Sequence, residues 1–101
     1  MSAAKRYQRQ ATAKDLYFFQ NPSLWPLYPF LPLIRRPVGQ EEIEYGVLYD
    51  ARGTSGKYGY STTVFFANVV LLPPTEAEFL ALPRCVYDTY AELVDDGWTV
   101  D

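Results

Sequence analysis

Three prolines recur at every third position of residues 21–36, at Pro26, Pro29 and Pro32. Three residues make one turn of a polyproline II helix, so the three rings are expected to share one edge of an extended chain. Each proline fixes its own φ and disfavours helical geometry in the residue before it, so the pattern predicts neither an α-helix nor a central strand. Large apolar residues fill most of the positions between the prolines. The sequence therefore predicts a stiff apolar arm over residues 22–37, which must lie against its own domain or a partner.

The surface on which the arm lies stays open at this stage. From Pro29 to Arg35 the chain approaches the PxxP ligand of SH3-type grooves, but the spacing to Arg35 is one residue too long for the common form. Packing on its own sheet, or across onto a second subunit, suits the apolar spaces between the prolines better. The residues that we expect to contact a partner are Trp25, Tyr28, Phe30, Arg35 and Arg36.

The composition indicates a folded chain suited to recognition. A length of 101 residues predicts one domain over 1–101, with a polar and disordered tail at residues 1–11. An apolar content of 49% with a net charge of −3 excludes disorder of the whole chain. Aromatic residues make up 17% of the chain, and Tyr and Trp suit cores, interfaces and base-stacking surfaces alike. Composition thus favours recognition without selecting the partner.

Charge is divided unevenly along the chain. Residues 1–40 carry a net charge of +5, and residues 41–101 carry −8. This division is typical of a basic surface for phosphate, or of two faces that attract each other in a dimer. It is equally typical of one fold in which the two halves touch and neutralise each other.

Two strands are predicted in the middle of the chain. Residues 42–50 alternate between apolar and polar positions, which indicates a half-buried strand. Residues 51–57 are predicted to form a turn, and residues 58–72 a longer strand that is apolar on both faces from Val64 onward. The two strands together predict a β-hairpin, 42–50/58–72, whose second strand needs cover on both sides.

Short helices are predicted around this hairpin. Thr12 and Asp15 resemble a helix start, Thr75 and Glu78 form a capping box, and residues 89–97 predict a helix that ends at a glycine. Residues 98–101 are predicted to return as a short edge strand. The expected fold class is therefore α+β: a small antiparallel sheet built on a long β-hairpin, with two or three short helices and a proline-rich extended arm.

No catalytic signature is present in the sequence. Histidine is absent, which removes the commonest general base, the usual zinc ligand and the Ser–His and Cys–His nucleophile pairs. Cys85 is interpreted as a buried structural thiol, with Arg84 as its one evident neighbouring cation. The adjacent acids at 41–44 and 95–96 point in different directions along a strand or helix. We therefore predict that the protein is not an enzyme and has no metal or cofactor.

A nucleic-acid interface is the main alternative. Arg52, Lys57, Tyr58 and Tyr60 can place cations and stacking rings on one hairpin, with the basic tail adding phosphate contacts. Residues 51–58 lack the first glycine, the final hydroxyl and the following helix of a phosphate-binding loop. The low sequence pI of about 4.8 argues against nucleic acid.

A family resemblance is carried by two stretches. Residues 25–36, together with Asp96-Gly-Trp98 and Val100-Asp101, resemble short uncharacterised bacterial proteins over about a third of the chain. The resemblance implies a bacterial origin and no particular activity.

These patterns predict a cytoplasmic protein that works by binding. The N-terminus lacks the apolar core of a secretory signal, although its basic composition is also typical of a mitochondrial transit peptide. No apolar run approaches the length of a membrane span. We expect a non-catalytic interaction protein, an accessory or regulatory subunit that forms a homodimer, because one small domain has difficulty covering both faces of 64–72. A single-stranded nucleic-acid binder is the alternative, and an enzyme of unknown class comes third.

Overall fold

A five-stranded antiparallel sheet organises the chain in a computed structural model that describes residues 11–39 and 41–101. The strand order is β4-β3-β2-β1-β5, with β1 (Phe30–Arg35), β2 (Glu44–Tyr49), β3 (Thr63–Phe65), β4 (Arg84–Val86) and β5 (Thr99–Val100). The α-helices of the described residues are α1 (Ala13–Gln20), α2 (Ala51–Ser55), α3 (Glu76–Leu80) and α4 (Tyr90–Asp95). Short 3₁₀ helices lie at Pro22–Leu24 and Val69–Leu71. The α+β class is confirmed, with four short α-helices rather than two or three.

The sheet buries apolar side chains on both of its faces. The first core contains Leu31, Leu33, Leu48 and Val64 of the sheet, packed with Phe19 of α1, Leu93 of α4, Trp25 and Trp98. The second core contains Val47, Tyr49 and Phe65, packed with Ala51 and with Phe79 of α3. Alternate residues of a strand point to opposite faces, so Leu48 belongs to one core and its neighbours to the other. The expected half-buried strand at 42–50 is thus covered on both sides from Gly46 onward.

Threonine side chains cap three of the helices, α1, α3 and α4. Thr12 Oγ1 accepts a hydrogen bond from Asp15 N at 3.2 Å, and Asp15 Oδ2 accepts one from Thr12 N at 2.9 Å. Thr75 and Thr89 cap α3 and α4 in the same way, by accepting from the backbone N–H three residues later. Each cap satisfies backbone donors that the first helical turn leaves without partners. The three predicted helix starts are confirmed.

The proline arm contradicts the expectation that it contains no central strand. Its residues 30–35 form β1, which lies between β2 and β5. In an antiparallel sheet the N–H and C=O of one residue point toward the same neighbouring strand. The Pro32 carbonyl accepts a hydrogen bond from Asp101 N at 3.0 Å, so it points toward β5. The N–H that Pro32 lacks would point the same way, at a position just past the residues Leu33 and Ile34 that pair with β5. Pro32 therefore costs β1 no hydrogen bond to β2. The Tyr28–Pro29 peptide is cis.

The predicted hairpin is wrong in its details. Strands β2 and β3 do pair antiparallel, but the second strand extends only over Thr63–Phe65 instead of 58–72. The predicted turn at 51–57 contains helix α2, which Asp50 caps and which ends at Gly56 with φ +72°. Past β3 the chain turns into a 3₁₀ helix, in which the Asn68 side chain accepts from Val70 N. The cap at Asn68 thus interrupts the apolar run at 58–72, which was predicted as one strand from its apolar content alone.

Cover for β3 comes from within the chain. Val64 packs in the first core and Phe65 in the second, and both side chains are fully buried. The expectation that a single domain has difficulty covering both faces is therefore not met at β3.

The predicted edge strand at 98–101 is confirmed as β5, whereas β4 was not predicted. The predicted tail lies, apart from Ala11, outside the described residues. In the described ranges no helix has the length and apolar character needed to cross a membrane.

Candidate functional site

The five predicted partner contacts have very different exposures. Trp25 and Arg35 are buried inside the chain, and Phe30 is half-buried beside the second core. Tyr28 and Arg36 are exposed. Trp25 also donates its indole N–H to the Phe18 carbonyl at 2.6 Å, which satisfies its polar group inside the fold. Tyr28 and Arg36 are therefore the members of this set that a partner can reach without rearrangement.

Arg35 is the centre of a polar network that joins the two halves of the chain. Its Nε donates to Glu44 Oε1 at 3.0 Å, and its Nη1 donates to Asp96 Oδ2 at 2.9 Å. The guanidinium lies over the Trp98 ring, 4.4 Å from the ring centroid. Tyr87 donates its hydroxyl to Asp96 and accepts from Trp98 Nε1 at 3.1 Å, and burial, followed by the bond to Asp96, raises the Tyr87 pKa. The network explains part of the charge division as attraction within one fold.

An apolar cleft lies between residues of the arm and the end of β5. This arm cleft has a volume of about 210 Å³ and is lined by Phe18, Pro26, Leu27, Leu31, Pro32, Val100 and Asp101. Leu27 is 51% exposed at its edge, and Leu24 and Tyr28 are exposed nearby in the chain. Exposed apolar residues that form a continuous patch mark interaction sites more often than the same residues scattered singly. The arm cleft is the first candidate site.

A second concavity brings together the four residues of the nucleic-acid alternative. Arg52, Lys57, Tyr58 and Tyr60 all line one cavity of about 130 Å³. We call it the tyrosine cavity, and its other lining residues are Pro22, Trp25, Tyr49, Asp50, Ala51, Gly59, Ser61 and Tyr90. Trp25, Tyr49 and Ala51 are buried, whereas Arg52, Lys57 and Tyr58 are exposed. Although the predicted hairpin turn is a helix, its cations and rings do converge.

The cations of the tyrosine cavity differ in how they are partnered. Lys57 Nζ forms an ion pair with Glu76 Oε1 at 2.5 Å, and Glu76 Oε2 accepts from the Tyr49 hydroxyl at 2.6 Å. The bonds from Lys57 and Tyr49 lower the Glu76 pKa to about 2. Burial, followed by the bond to Glu76, raises the Tyr49 pKa to about 12. Arg52 instead lies over the exposed Tyr58 ring, 5.4 Å from its centroid. Among the described residues it has no ion pair, so it is the cation available to an anionic ligand.

Asp50 supplies the carboxylate of the tyrosine cavity. It accepts from the Tyr28 hydroxyl at 2.8 Å and from Gly53 N at 3.1 Å, which leaves further lone pairs for another donor. The bond to Asp50 is the main reason that the Tyr28 pKa is raised. The Tyr90 pKa is raised by burial and by the Asp50 charge. Asp50 thus joins the exposed tip of the arm to the cavity.

A third concavity, larger than the arm cleft and the tyrosine cavity, carries none of the predicted site residues. It is an open groove of about 770 Å³ between α1 and α4, with Asp88 and Asp95 in its lining. Its walls are mostly short polar side chains and alanines. Such walls provide less apolar contact than the arm cleft and fewer converging rings than the tyrosine cavity, so size alone does not make this groove a candidate.

Potential metal ligands and the one cysteine are the last side chains to be placed. Residues 11–39 and 41–101 hold no group of three or more acidic, cysteine or histidine side chains that could hold a metal ion. Cys85 lies on β4 and is half-buried rather than fully buried as predicted.

Comparison of the chain with protein-family models, with curated proteins and with solved structures found no match. The fold by itself defines a small α+β protein with a five-stranded antiparallel sheet. The bacterial origin implied by the resemblance at residues 25–36 stays a prediction.

Three cavity residues lie far apart in the chain, so no local pattern groups them at one site. Trp25, Asp50 and Tyr90 lie in separate elements, and only the tertiary fold places them beside Tyr60. A signal for α2 was present, because Asp50 is a favourable N-cap and Gly56 a favourable end residue. The apolar–polar alternation instead assigns Asp50 to the predicted strand 42–50, and Gly56 falls in the predicted turn 51–57.

Proposed function

We propose that this protein is a non-catalytic interaction subunit that associates with a second copy of itself through the arm cleft. The observation that carries the proposal is an exposed apolar concavity that the chain leaves open although both faces of its sheet are covered. Burial of apolar surface is the main favourable term in protein association. Leu27 lines this cleft, and the proposal extends the interface to the exposed neighbours in the chain Leu24 and Tyr28.

The residues inside the chain support the surface rather than form it. Trp25 and Leu31 belong to the first core, and Pro32 lies in β1, so the inner wall of the cleft is held by the sheet. A wall fixed in this way loses little conformational freedom on binding, which lowers the entropic cost of association. Pro26, with its fixed φ, stiffens the outer wall.

Size-exclusion chromatography with light scattering, at low and high salt, tests self-association. We expect a dimer that persists or tightens as salt rises, because apolar burial is not screened by ions. A protein that remains monomeric at every concentration and salt would contradict self-association.

A matched pair of substitutions tests the location of the interface. Leu27→Ser should weaken the dimer, whereas Leu71→Ser should not, because Leu71 is equally apolar and 78% exposed but does not line the arm cleft. Trp25 is unsuitable for this test, since its replacement removes part of the first core. Equal dimerisation of both variants and the parent chain would place the interface elsewhere.

Single-stranded nucleic-acid binding is the second candidate, and the convergence of Arg52, Lys57, Tyr58 and Tyr60 on one cavity favours it. Cations attract phosphates, and exposed rings stack on bases with little regard for sequence. Fluorescence anisotropy with a labelled oligothymidylate tests this candidate. Affinity that falls steeply with salt is expected, whereas affinity independent of salt would contradict phosphate contacts.

A further inference from the structure

The tyrosine cavity has the size of one aromatic ring. Its volume is about 130 Å³, and an apolar cavity of roughly 150 Å³ is known to accommodate benzene. The volume is therefore closer to that of a single six-membered ring than to that of the fused rings of a purine. Buried Trp25 and Tyr49, with Pro22, give this space aromatic and aliphatic walls.

Polar groups of the cavity suit a ring that carries its own donors and acceptors. The hydroxyls of Tyr60 and Tyr90 make no hydrogen bond with any described residue. Each can donate and accept, and the Asp50 carboxylate can accept a further bond. A plain hydrocarbon ring would leave these groups unmatched, which costs binding free energy. A pyrimidine base carries N–H and C=O groups that can bond to such hydroxyls and carboxylates.

The exposed side of the cavity suits an anion attached to that ring. Arg52 has no ion pair among the described residues and presents five N–H donors in a planar fork. The charge of Lys57 is shared with Glu76, so Arg52 is the group that gains most from a phosphate. Tyr58, 76% exposed beside Arg52, adds an open stacking surface.

We infer that the tyrosine cavity binds one pyrimidine nucleotide, with the base among Trp25, Tyr60 and Tyr90 and the phosphate on Arg52. The nucleotide is either free or one residue of a single strand. The inference deepens the nucleic-acid candidate and rests on it, because it names the ligand of the same site.

Titration of the full chain with thymidine monophosphate, thymidine, deoxyadenosine monophosphate and an eight-residue oligothymidylate tests the inference. Calorimetry and tryptophan fluorescence are suitable readouts, since Trp25 lines the cavity. We expect thymidine monophosphate to bind at least about tenfold more tightly than thymidine, because a charge-assisted bond to phosphate is lost in the nucleoside. The purine nucleotide should bind more weakly than the pyrimidine nucleotide.

Two exposed substitutions locate the binding without disturbing the cores. Arg52→Gln and Tyr58→Ala should each weaken binding of thymidine monophosphate. Arg36→Gln and Tyr17→Ala are the matched controls, because these exposed residues do not line the cavity. Equal loss in the control variants, or no loss with Arg52→Gln, would overturn the assignment.

The ligand series also separates the failure of this inference from that of the nucleic-acid candidate. Binding of the oligonucleotide without the mononucleotide would overturn the one-base cavity and leave single-strand binding standing. Binding of the mononucleotide without the oligonucleotide would support the cavity and restrict the ligand of this site to the free nucleotide. Equal binding of purine and pyrimidine nucleotides would overturn the size argument, and no binding at all would overturn both proposals.

Discussion

The arm strand β1 and the segment 63–72 are both rich in apolar residues, but the fold buries them to very different degrees. In β1, Leu31 and Leu33 are at most 1% exposed, because β2 and β5 flank the strand and the first core covers them. In the other segment, burial ends soon after Phe65, and Val70 and Leu71 are 76% and 78% exposed. The comparison teaches that burial depends on flanking strands and covering helices, and that apolar content alone does not predict it.

Truncation of one leucine in each segment is the strongest test of this difference in burial. Leu33→Ala should lower the free energy of unfolding by about 2 to 5 kcal/mol, because the side chain is fully buried and its loss leaves a cavity. Leu71→Ala should change it by less than about 0.5 kcal/mol, as is usual for exposed positions. Urea unfolding followed by circular dichroism measures both. Similar losses at the two positions would mean that the segments are equally buried.

Gly46 tests how closely β2 approaches its neighbours. It pairs with Leu33 of β1, and a Cβ added to it would lie 2.5 Å from Val64 Cγ1 and 2.9 Å from Trp98 Cζ3. Both neighbours are fully buried and cannot move aside freely. Gly46→Ala should therefore cost about 3 kcal/mol, at the upper end of overpacking effects. Chemical unfolding measures this cost. An unchanged free energy of unfolding would show that β2 has room for a methyl group at position 46.

Arg35 and Arg36 allow a buried and an exposed residue to be compared within the arm itself. Arg35→Met removes a buried guanidinium from Glu44 and Asp96, and we expect a loss of about 2 kcal/mol. The loss is smaller than the roughly 3 to 5 kcal/mol of a fully buried pair, since water partly reaches both acids. Arg36→Met, on the exposed side, is the matched control. Equal midpoints of thermal unfolding for the two variants would exclude a structural role for the network.

The smallest expected effect is an acid-dependent one at Glu76. Its pKa is lowered to about 2 by Lys57 and Tyr49, so its contribution is present above the unfolded-state pKa of about 4.5. That contribution is lost as the pH falls from about 4.5 through 2. Unfolding between pH 2 and 6 should show a shallower loss for Glu76→Gln than for the parent chain. Glu78→Gln, on the same helix without these two partners, should keep the parent's dependence.

Local sequence signals predicted the helices better than the strands. The threonine caps at Thr12, Thr75 and Thr89 are confirmed, because each acts within one helical turn and needs no tertiary partner. β4 follows Pro83 and has three residues, which is too short for a periodic pattern to appear. Arg52, Lys57, Tyr58 and Tyr60 could be grouped from the sequence because they lie close together in the chain, whereas Trp25 and Tyr90 of the same cavity lie far from them in the chain.

The sequence by itself determined the fold class, the helix starts, the glycine that closes α4 and the edge strand β5. The helix starts and the closing glycine follow from hydrogen bonds and backbone preferences of residues that are near in the chain. The tertiary structure decided that the proline arm contains an inner strand, that Arg35 is buried, and that Trp25, Asp50 and Tyr90 meet at one cavity. Those outcomes depend on contacts between residues that are distant in the chain. The free energy of such contacts cannot be inferred from a local sequence pattern.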